Sequence, residues 1–348
     1  FSILDGEGRI KNLVAKAKAC GQTALAITDH GYMHGVIPFF NECVKNGIKP
    51  ILGVELYTTE DITIKSSENR HAGHIVLLAK NNTGYKNLMK LSSIAATDGM
   101  YYRPRVDLNL LQKYHEGIVC LSACIKGDVP HLLLKGDKEE AYALAQKYRD
   151  IFGDDYYIEL QYHGLPEQKV VLPKLIVMAK TLGIPMVATN DVHYVDKEDA
   201  FAQRTLMVMN MKTTINDESA VGYGNPDQWY LKTEEEMNTV FGSIAPEAIA
   251  NTMVIADKCN VILEHGKYPL PKFPLPEGFA SNSVYFRALC NAGLKKRYME
   301  DADSHRAQME YEINVIESMG FIDYFLIVSD IITYAKTHNI TIGPGRGS

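Results

Sequence analysis

One tryptophan, six cysteines and no long uninterrupted apolar run are the shortages that first narrow what this chain of 348 residues is. Its longest apolar candidate, Tyr324 to Ile332, is broken by Ser329 and Asp330. That is far short of the roughly 20 apolar residues a membrane-spanning helix needs, so no membrane span is expected. The cysteines form no CxxC pair and no secretory leader is visible at the start; free thiols in a reducing compartment, the cytoplasm, are the expectation. Neither sign of charge dominates, since 36 Lys and Arg face 42 Asp and Glu for a net charge of -6. A general polyanion binder is thereby excluded, and any nucleic-acid contact has to be local. With 46% hydrophobic and 22% charged residues and no internal repeat, disorder and fibrous structure are excluded and there is enough apolar surface for two cores. The first residue is Phe1 and the last, Ser348, falls in a Gly-rich run, so a piece of a longer protein is expected.

Up to about residue 194, short apolar runs alternate with helical segments at the spacing of βα units. The strand candidates are Ala24 to Thr28, Pro50 to Tyr57, His74 to Ala79, Gly117 to Ser122, Tyr157 to Gln161 and Pro185 to Thr189. Helices are expected over Val36 to Lys45, Gly84 to Ala95, Lys138 to Phe152 and Glu167 to Leu182. Such units predict an α/β fold with a parallel or mostly parallel sheet; closing it into a barrel removes its edges, and an open doubly wound sheet is the alternative. Beyond Tyr194 the pattern becomes mainly helical, with Glu234 to Phe241 and Pro246 to Cys259 as candidates. Tyr268 to Glu277 then carries four prolines, which excludes helix and favours an extended linker. The expected division is residues 1–267, a linker at 268–279, and residues 280–348 with helices near Ser283 to Asp301, His305 to Met319 and Tyr324 to His338.

In a parallel barrel the chemistry sits at the C-terminal ends of the strands. Here those ends read Thr28-Asp29-His30, Gly53-Val54-Glu55, Leu121-Ser122-Ala123-Cys124 and Thr189-Asn190-Asp191-Val192-His193. Any one of these polar residues alone is an ordinary cap or turn, and Cys124 alone is an ordinary small core residue. Together they crowd charge into one mouth, which metal ions usually compensate. Asp191 and His193, two apart, would share a face of an extended chain and grip one ion together. Asp29 and His30 would face opposite ways, His30 toward the ion and Asp29 orienting a neighbour. Mixed His and carboxylate ligands suit two or more divalent ions activating water, as in phosphoester hydrolysis. His74 stands at the start of its strand, the wrong end of a parallel barrel; either that strand runs antiparallel or His74 is a surface residue, with His71 competing from the same loop.

These segments, together with Phe1-Ser-Ile-Leu-Asp-Gly6, Ile75-Val-Leu-Leu-Ala-Lys80, Glu317-Ser-Met-Gly-Phe-Ile-Asp-Tyr-Phe-Leu-Ile-Val328 and Gly343-Pro-Gly-Arg-Gly-Ser348, resemble the polymerase-and-histidinol-phosphatase (PHP) domain and the palm that follows it in the C-family replicative polymerases, the bacterial DNA polymerase III alpha subunits. The resemblance covers nearly the whole chain. It implies a distorted seven-stranded PHP-type barrel, a mainly helical segment and the beginning of a polymerase palm. Carried over position by position, it implies a divalent metal cluster of zinc, manganese or iron on Asp5, His30, Glu55, His74, Cys124, Asp191 and His193. The family's opening His-x-His motif lies before Phe1. Gly345, Arg346, Gly347 and Ser348 match the start of the palm, where glycines admit a triphosphate to the backbone; the aspartates that hold magnesium for polymerisation are expected beyond Ser348.

The resemblance further implies a DNA primer-template and dNTPs as substrates of the full-length polymerase. The implied partners are a sliding clamp, a clamp loader and a proofreading exonuclease subunit. Three readings compete: a polymerase fragment whose PHP site carries out 3′ to 5′ hydrolysis of DNA, with Asp191 and His193 as the first catalytic candidates; a stand-alone metal-dependent phosphatase acting on a small phosphomonoester; or a polymerase fragment whose PHP domain is a non-catalytic scaffold that docks a proofreading subunit. Two small basic features, Arg103-Pro-Arg105 beside Tyr101 and Tyr102, and Lys295-Lys296-Arg297, read as solvated surface or as local DNA contacts.

Overall fold

The computed structural model describes residues 5–67, 69, 72–216, 226–263, 270–343 and 345. The chain divides into two compact units, Phe1–Leu263 and Glu264–Ser348. Among the described residues of the first unit seven strands form one sheet: β1 Ala24–Ile27, β2 Lys49–Thr58, β3 Gly73–Ala79, β4 Arg105–Val106, β5 Ile118–Leu121, β6 Tyr156–Leu160 and β7 Met186–Ala188. The helices around it are α1 Ile10–Ala19, α2 Val36–Asn46, α3 Asn82–Thr97, α4 Leu108–Lys113, α5 Asp128–Lys135, α6 Lys138–Phe152, α7 Pro166–Leu182, α8 Ala200–Asn210, α9 Glu234–Phe241 and α10 Pro246–Lys258. Spatial order is β1-β2-β3-β5-β6-β7, with β4 added to β2. The mixed α/β architecture is the one expected, distorted in that no ladder joins β7 to β1 among the described residues.

Most pairs are parallel, but β3 runs antiparallel to both β2 and β5. This settles the position of His74. At the start of a reversed strand it lies opposite Tyr57, at the same end of the sheet where β2 finishes.

Side chains alternate between two apolar cores, as a period of two requires. On β3, Ile75, Leu77 and Ala79 face a core shared with Leu88 and Leu91 of α3, Val129 of α5, Ala145 of α6 and Leu175 of α7. Val76 and Leu78 face the other way, with Ile51, Val119, Leu121, Tyr157 and Val187, and meet Ile255 and Ala256 of α10. Burial on both faces accounts for the nearly continuous apolar strands in the sequence. Along this second face the chemistry changes from one end to the other. Ile51 is followed at alternate positions of β2 by Gly53, Glu55 and Tyr57, and Tyr157 is followed on β6 by Glu159, so polar groups collect at the mouth.

Helix α3 is set close to the sheet by a glycine contact. Asn81 caps it by accepting from Gly84 N at 3.0 Å. A Cβ at Gly84 would lie 1.8 Å from the carbonyl oxygen of Gly117, so no side chain fits there.

In the second unit residues 270–276 have neither helix nor strand. Helices α11 Asn282–Tyr298, α12 Ala302–Ser318 and α13 Ile322–Thr337 follow. They meet through Phe286, Ile313 and Leu326, with Phe273 packed against this cluster. Among the described residues no helix is long and apolar enough to cross a membrane.

Candidate metal centre

β1 ends at Ile27, and the chain continues beside β2 so that His30 forms a bridge with Glu55. Gly31 N donates to Glu55 O at 2.7 Å and Glu55 N to Asp29 O at 3.1 Å, which locks the two residues side by side. His30 Nε2 lies 2.7 Å from Asp5 Oδ2 and its Nδ1 lies 3.0 Å from Glu55 Oε1. The same Glu55 oxygen is 2.6 Å from His74 Nδ1, and that nitrogen is 3.8 Å from Cys124 Sγ. On the far side, His193 Nδ1 is 3.7 Å from Asp191 Oδ1 and 3.0 Å from the Asp191 carbonyl. The Asp5 segment closes the ring, because Glu7 N and Gly8 N donate to His193 O at 2.8 and 3.0 Å. The seven candidate ligands therefore meet at one end of the sheet. Asp5, His30 and His193 each offer a donor atom within 4.8 Å of the other two. Ligand atoms around one ion with bonds of about 2.0–2.2 Å stand roughly 3–4 Å apart, so small side-chain rotations would fit this set to a cation.

Burial works against the His30 imidazolium, yet its contacts with Asp5 and Glu55 win and raise its pKa to about 10. Glu55 is the complement: burial favours its neutral form, but hydrogen bonds from His30 and His74 hold it well below the usual carboxylate range. Asp191 keeps 26% side-chain exposure but sits deep enough for desolvation to raise its pKa. The Cys124 thiol is pushed well up by burial and then by the nearby Glu55 and Asp191 charges. A thiol so disfavoured as an anion becomes a ligand only beside a strong positive charge. Three carboxylates, Asp5, Glu55 and Asp191, thus share the mouth with the three imidazoles of His30, His74 and His193.

Residues 1–163 match the PHP domain family and residues 284–348 the bacterial DNA polymerase III alpha NTPase domain. Over its whole length the chain is 47% identical to the DNA polymerase III subunit alpha of Treponema pallidum, of which it covers 30%, and 40% identical to that of Borreliella burgdorferi, again covering 30%. The chain carries a PHP domain followed by part of a bacterial DNA polymerase III alpha NTPase domain. It spans about a third of the length of these relatives. Among solved structures, an amidohydrolase from Chromobacterium violaceum aligns over 55% of this chain and 84% of its own at 15% identity, with a TM-score of 0.38.

Within this PHP domain two polar residues at the mouth escaped the reading of strand ends. Glu159, in the middle of an apolar strand, is buried. Its Oε1 accepts from Thr189 Oγ1 at 2.5 Å and Gln161 Nε2 at 2.9 Å, while Oε2 has no partner among the described residues. Burial raises its pKa to about 7, against the pull of those two donors, with the Asp191 and Glu55 charges adding to the rise. His163 stacks on Trp229 at 3.8 Å, and Trp229 meets the His193 ring edge-on at 5.3 Å. Burial, and then the charges of Lys232 and His193, depress the pKa of His163 to about 3, so it backs the site as a neutral ring.

The Glu159 shift has a sign that stability measurements can read. The unfolded carboxyl loses its proton near 4.5 and the folded one near 7. Between these values the folded state binds the extra proton, so its stability falls as pH rises through this window, by about 3 kcal/mol in total. Glu159→Gln in metal-free protein should remove that slope and be the more stable form at pH 8. Urea midpoints at pH 5 and 8 check this, and an unchanged slope in the variant would count against it.

The remaining candidates separate. Arg105 is wholly buried while Arg103 is exposed. Lys295, Lys296 and Arg297 occupy the last turn of α11, where cations suit the helix dipole. Gly345 is exposed with φ 154°. Arg346, Gly347 and Ser348 lie outside the described residues, as does His71.

Proposed function

We propose that the PHP domain binds a cluster of divalent ions, zinc, manganese or iron, and hydrolyses phosphodiesters at a DNA 3′ end. The observation that supports this most is the convergence of seven carboxylate, imidazole and thiol side chains onto one mouth. Asp5, His30 and His193 would make one ligand set, and Glu55, His74, Cys124 and Asp191 would complete the cluster. Bound ions supply Lewis acidity and a water acidified toward neutral pH. Glu55 fixes His30 and His74 through their Nδ1 atoms, a carboxylate-imidazole arrangement that orients a ring and raises its basicity. Trp229 and His163 back His193 with a buried aromatic wall, which strengthens every charge interaction in front of it.

For the parent protein we infer DNA-directed DNA polymerisation with magnesium, a primer-template and dNTPs. The match of residues 284–348 and the names of the relatives support this. On the same reading residues 280–348 begin the palm, residues 268–279 link it to the PHP domain, and Gly345 to Ser348 receive the triphosphate. A sliding clamp, a clamp loader and a proofreading subunit are the partners such a polymerase would carry in the cytoplasm.

Trp229 is the only tryptophan and touches His193, so its fluorescence should report occupancy directly. Titration with manganese or zinc should change it saturably, EDTA should reverse the change, and loaded protein should release mononucleotides from the 3′ end of an oligonucleotide. No retained metal would overturn the reading altogether. Retained metal that raises the melting temperature without hydrolysis would replace it with a structural cluster.

A further inference from the structure

We propose that Arg103 and Tyr102 form a landing site for a single-stranded DNA 3′ end at the rim of the metal centre. Arg103 takes the phosphodiester next to the one being cut, and Tyr102 stacks on a base. The proposal rests on the hydrolytic reading of the PHP domain and names the strand that would enter it.

The two arginines of the Arg103-Pro-Arg105 hook have different surroundings. Arg105 is 0% exposed and spends its guanidinium on the fold: Nη1 donates to Asn69 O at 2.6 Å, Nε to Gly99 O at 3.2 Å and Nη2 to Ile64 O at 3.3 Å. Arg103 is exposed, and among the described residues it has no carboxylate partner. Its guanidinium stands 5.3 Å from the centre of the Tyr57 ring, with Nη1 donating to the Tyr57 hydroxyl at 3.5 Å. A planar fork parked on an aromatic ring, with donors to spare, is suited to a phosphate.

Its placement ties it to the metal centre. The Tyr57 ring meets His74 edge-on at 5.1 Å. Pro104 fills the space beside Gly31, the residue after His30; a Cβ on Gly31 would come within 2.6 Å of Pro104 Cγ. Arg103 is therefore mounted against the neighbours of two candidate ligands. Asp5, Glu55 and Asp191 line the mouth, and a polyanionic strand entering past these carboxylates gains from a fixed cation on the rim.

Tyr102 supplies the apolar half. It is 70% exposed and holds φ at 60°, a left-handed conformation uncommon for an aromatic residue. Its ring is propped edge-on by Tyr101 at 4.8 Å, and Tyr101 in turn lies under the buried Arg105 guanidinium at 5.1 Å. The hook thus carries an exposed aromatic residue and an exposed cation at successive positions on a braced support, the pairing that binds single strands through stacking and backbone charge. Stacking on a base requires that base to be unpaired, which favours a frayed or mispaired 3′ end over intact duplex.

The test uses the metal-loaded protein and a 5′-labelled phosphorothioate oligo(dT), whose binding is read by anisotropy whether or not it is cut. Arg103→Ala should weaken binding about tenfold and lower the salt dependence by close to one phosphate contact, a slope change of about 0.7. Tyr102→Ala should weaken it roughly five- to tenfold, with Tyr102→Phe close to the unsubstituted protein. Lys147→Ala, an exposed charge on α6, should leave binding unchanged. A normal metal response of Trp229 shows that each variant is folded; Arg103→Gln, which keeps the packing stem, takes the place of the alanine variant if that response is lost. Unaltered binding in the Arg103 and Tyr102 variants overturns the landing site even if the protein hydrolyses DNA. Lost binding in a protein that hydrolyses nothing leaves the landing site standing and overturns the hydrolytic reading instead.

Discussion

Arg105→Met should destabilise the first unit by about 2–4 kcal/mol, whereas Arg103→Met, two residues away, should change its stability by less than about 0.5 kcal/mol. The asymmetry follows from what each guanidinium does. Removing Arg105 leaves the carbonyls of Gly99, Asn69 and Ile64 without the donor that joins them. It also empties a wholly buried site. An acceptor stranded in a poorly hydrated place keeps its desolvation cost and loses its compensation. Arg103 loses only a surface contact with Tyr57. Urea unfolding followed by Trp229 fluorescence gives both values, and equal effects for the two arginines would show that Arg105 is not the structural member of the pair.

Asp191→Asn and His193→Gln should each reduce metal-dependent hydrolysis of a mispaired 3′ end at least about 100-fold, with the fold retained. The amides approximate the native shape, so packing against Trp229 survives while ligand strength falls. Asp191 and His193 sit on the segment that follows β7, and His193 O anchors Glu7 N and Gly8 N. That anchor is backbone, and neither substitution removes it. Hydrolysis rates at saturating manganese, set beside metal content after dialysis, separate lost chemistry from lost binding. Hydrolysis at the unsubstituted rate in either variant would show that the reaction does not run through this end of the cluster.

Much of the mouth was legible because strands buried on both faces read as apolar runs, against which Asp29-His30, Glu55, Cys124 and Asp191 to His193 stand out at the ends. His74 depended on the direction of its strand. Direction is fixed by which neighbours a strand pairs with, information that β3 does not carry in its own residues. Glu159 was hidden for the opposite reason: within Tyr-Tyr-Ile-Glu-Leu a single carboxylate reads as the solvent face of an edge strand, and only the packing of α10 and β7 makes that face interior. The two arginines could not be told apart by spacing, because the left-handed turn at Tyr102 breaks the strand period and β4 begins only at Arg105. Helix α1, the short α4 and α5, and α8 fell outside the expected helices.

The mouth has walls of unequal stiffness. Glu55 lies within β2, bridged to His30 on one side and paired with Val76 of β3 on the other, so it cannot withdraw without breaking a ladder on both edges. Asp5 belongs to a segment held by Glu7 N and Gly8 N on His193 O and by the Gln203 amide, which donates to Asp5 O and accepts from Glu7 N. An ion seated between these walls would leave by displacing the second. Its residence time would then depend on how often the hydrogen bonds that hold the Asp5 segment open together, and ion exchange would quicken long before the sheet itself begins to melt.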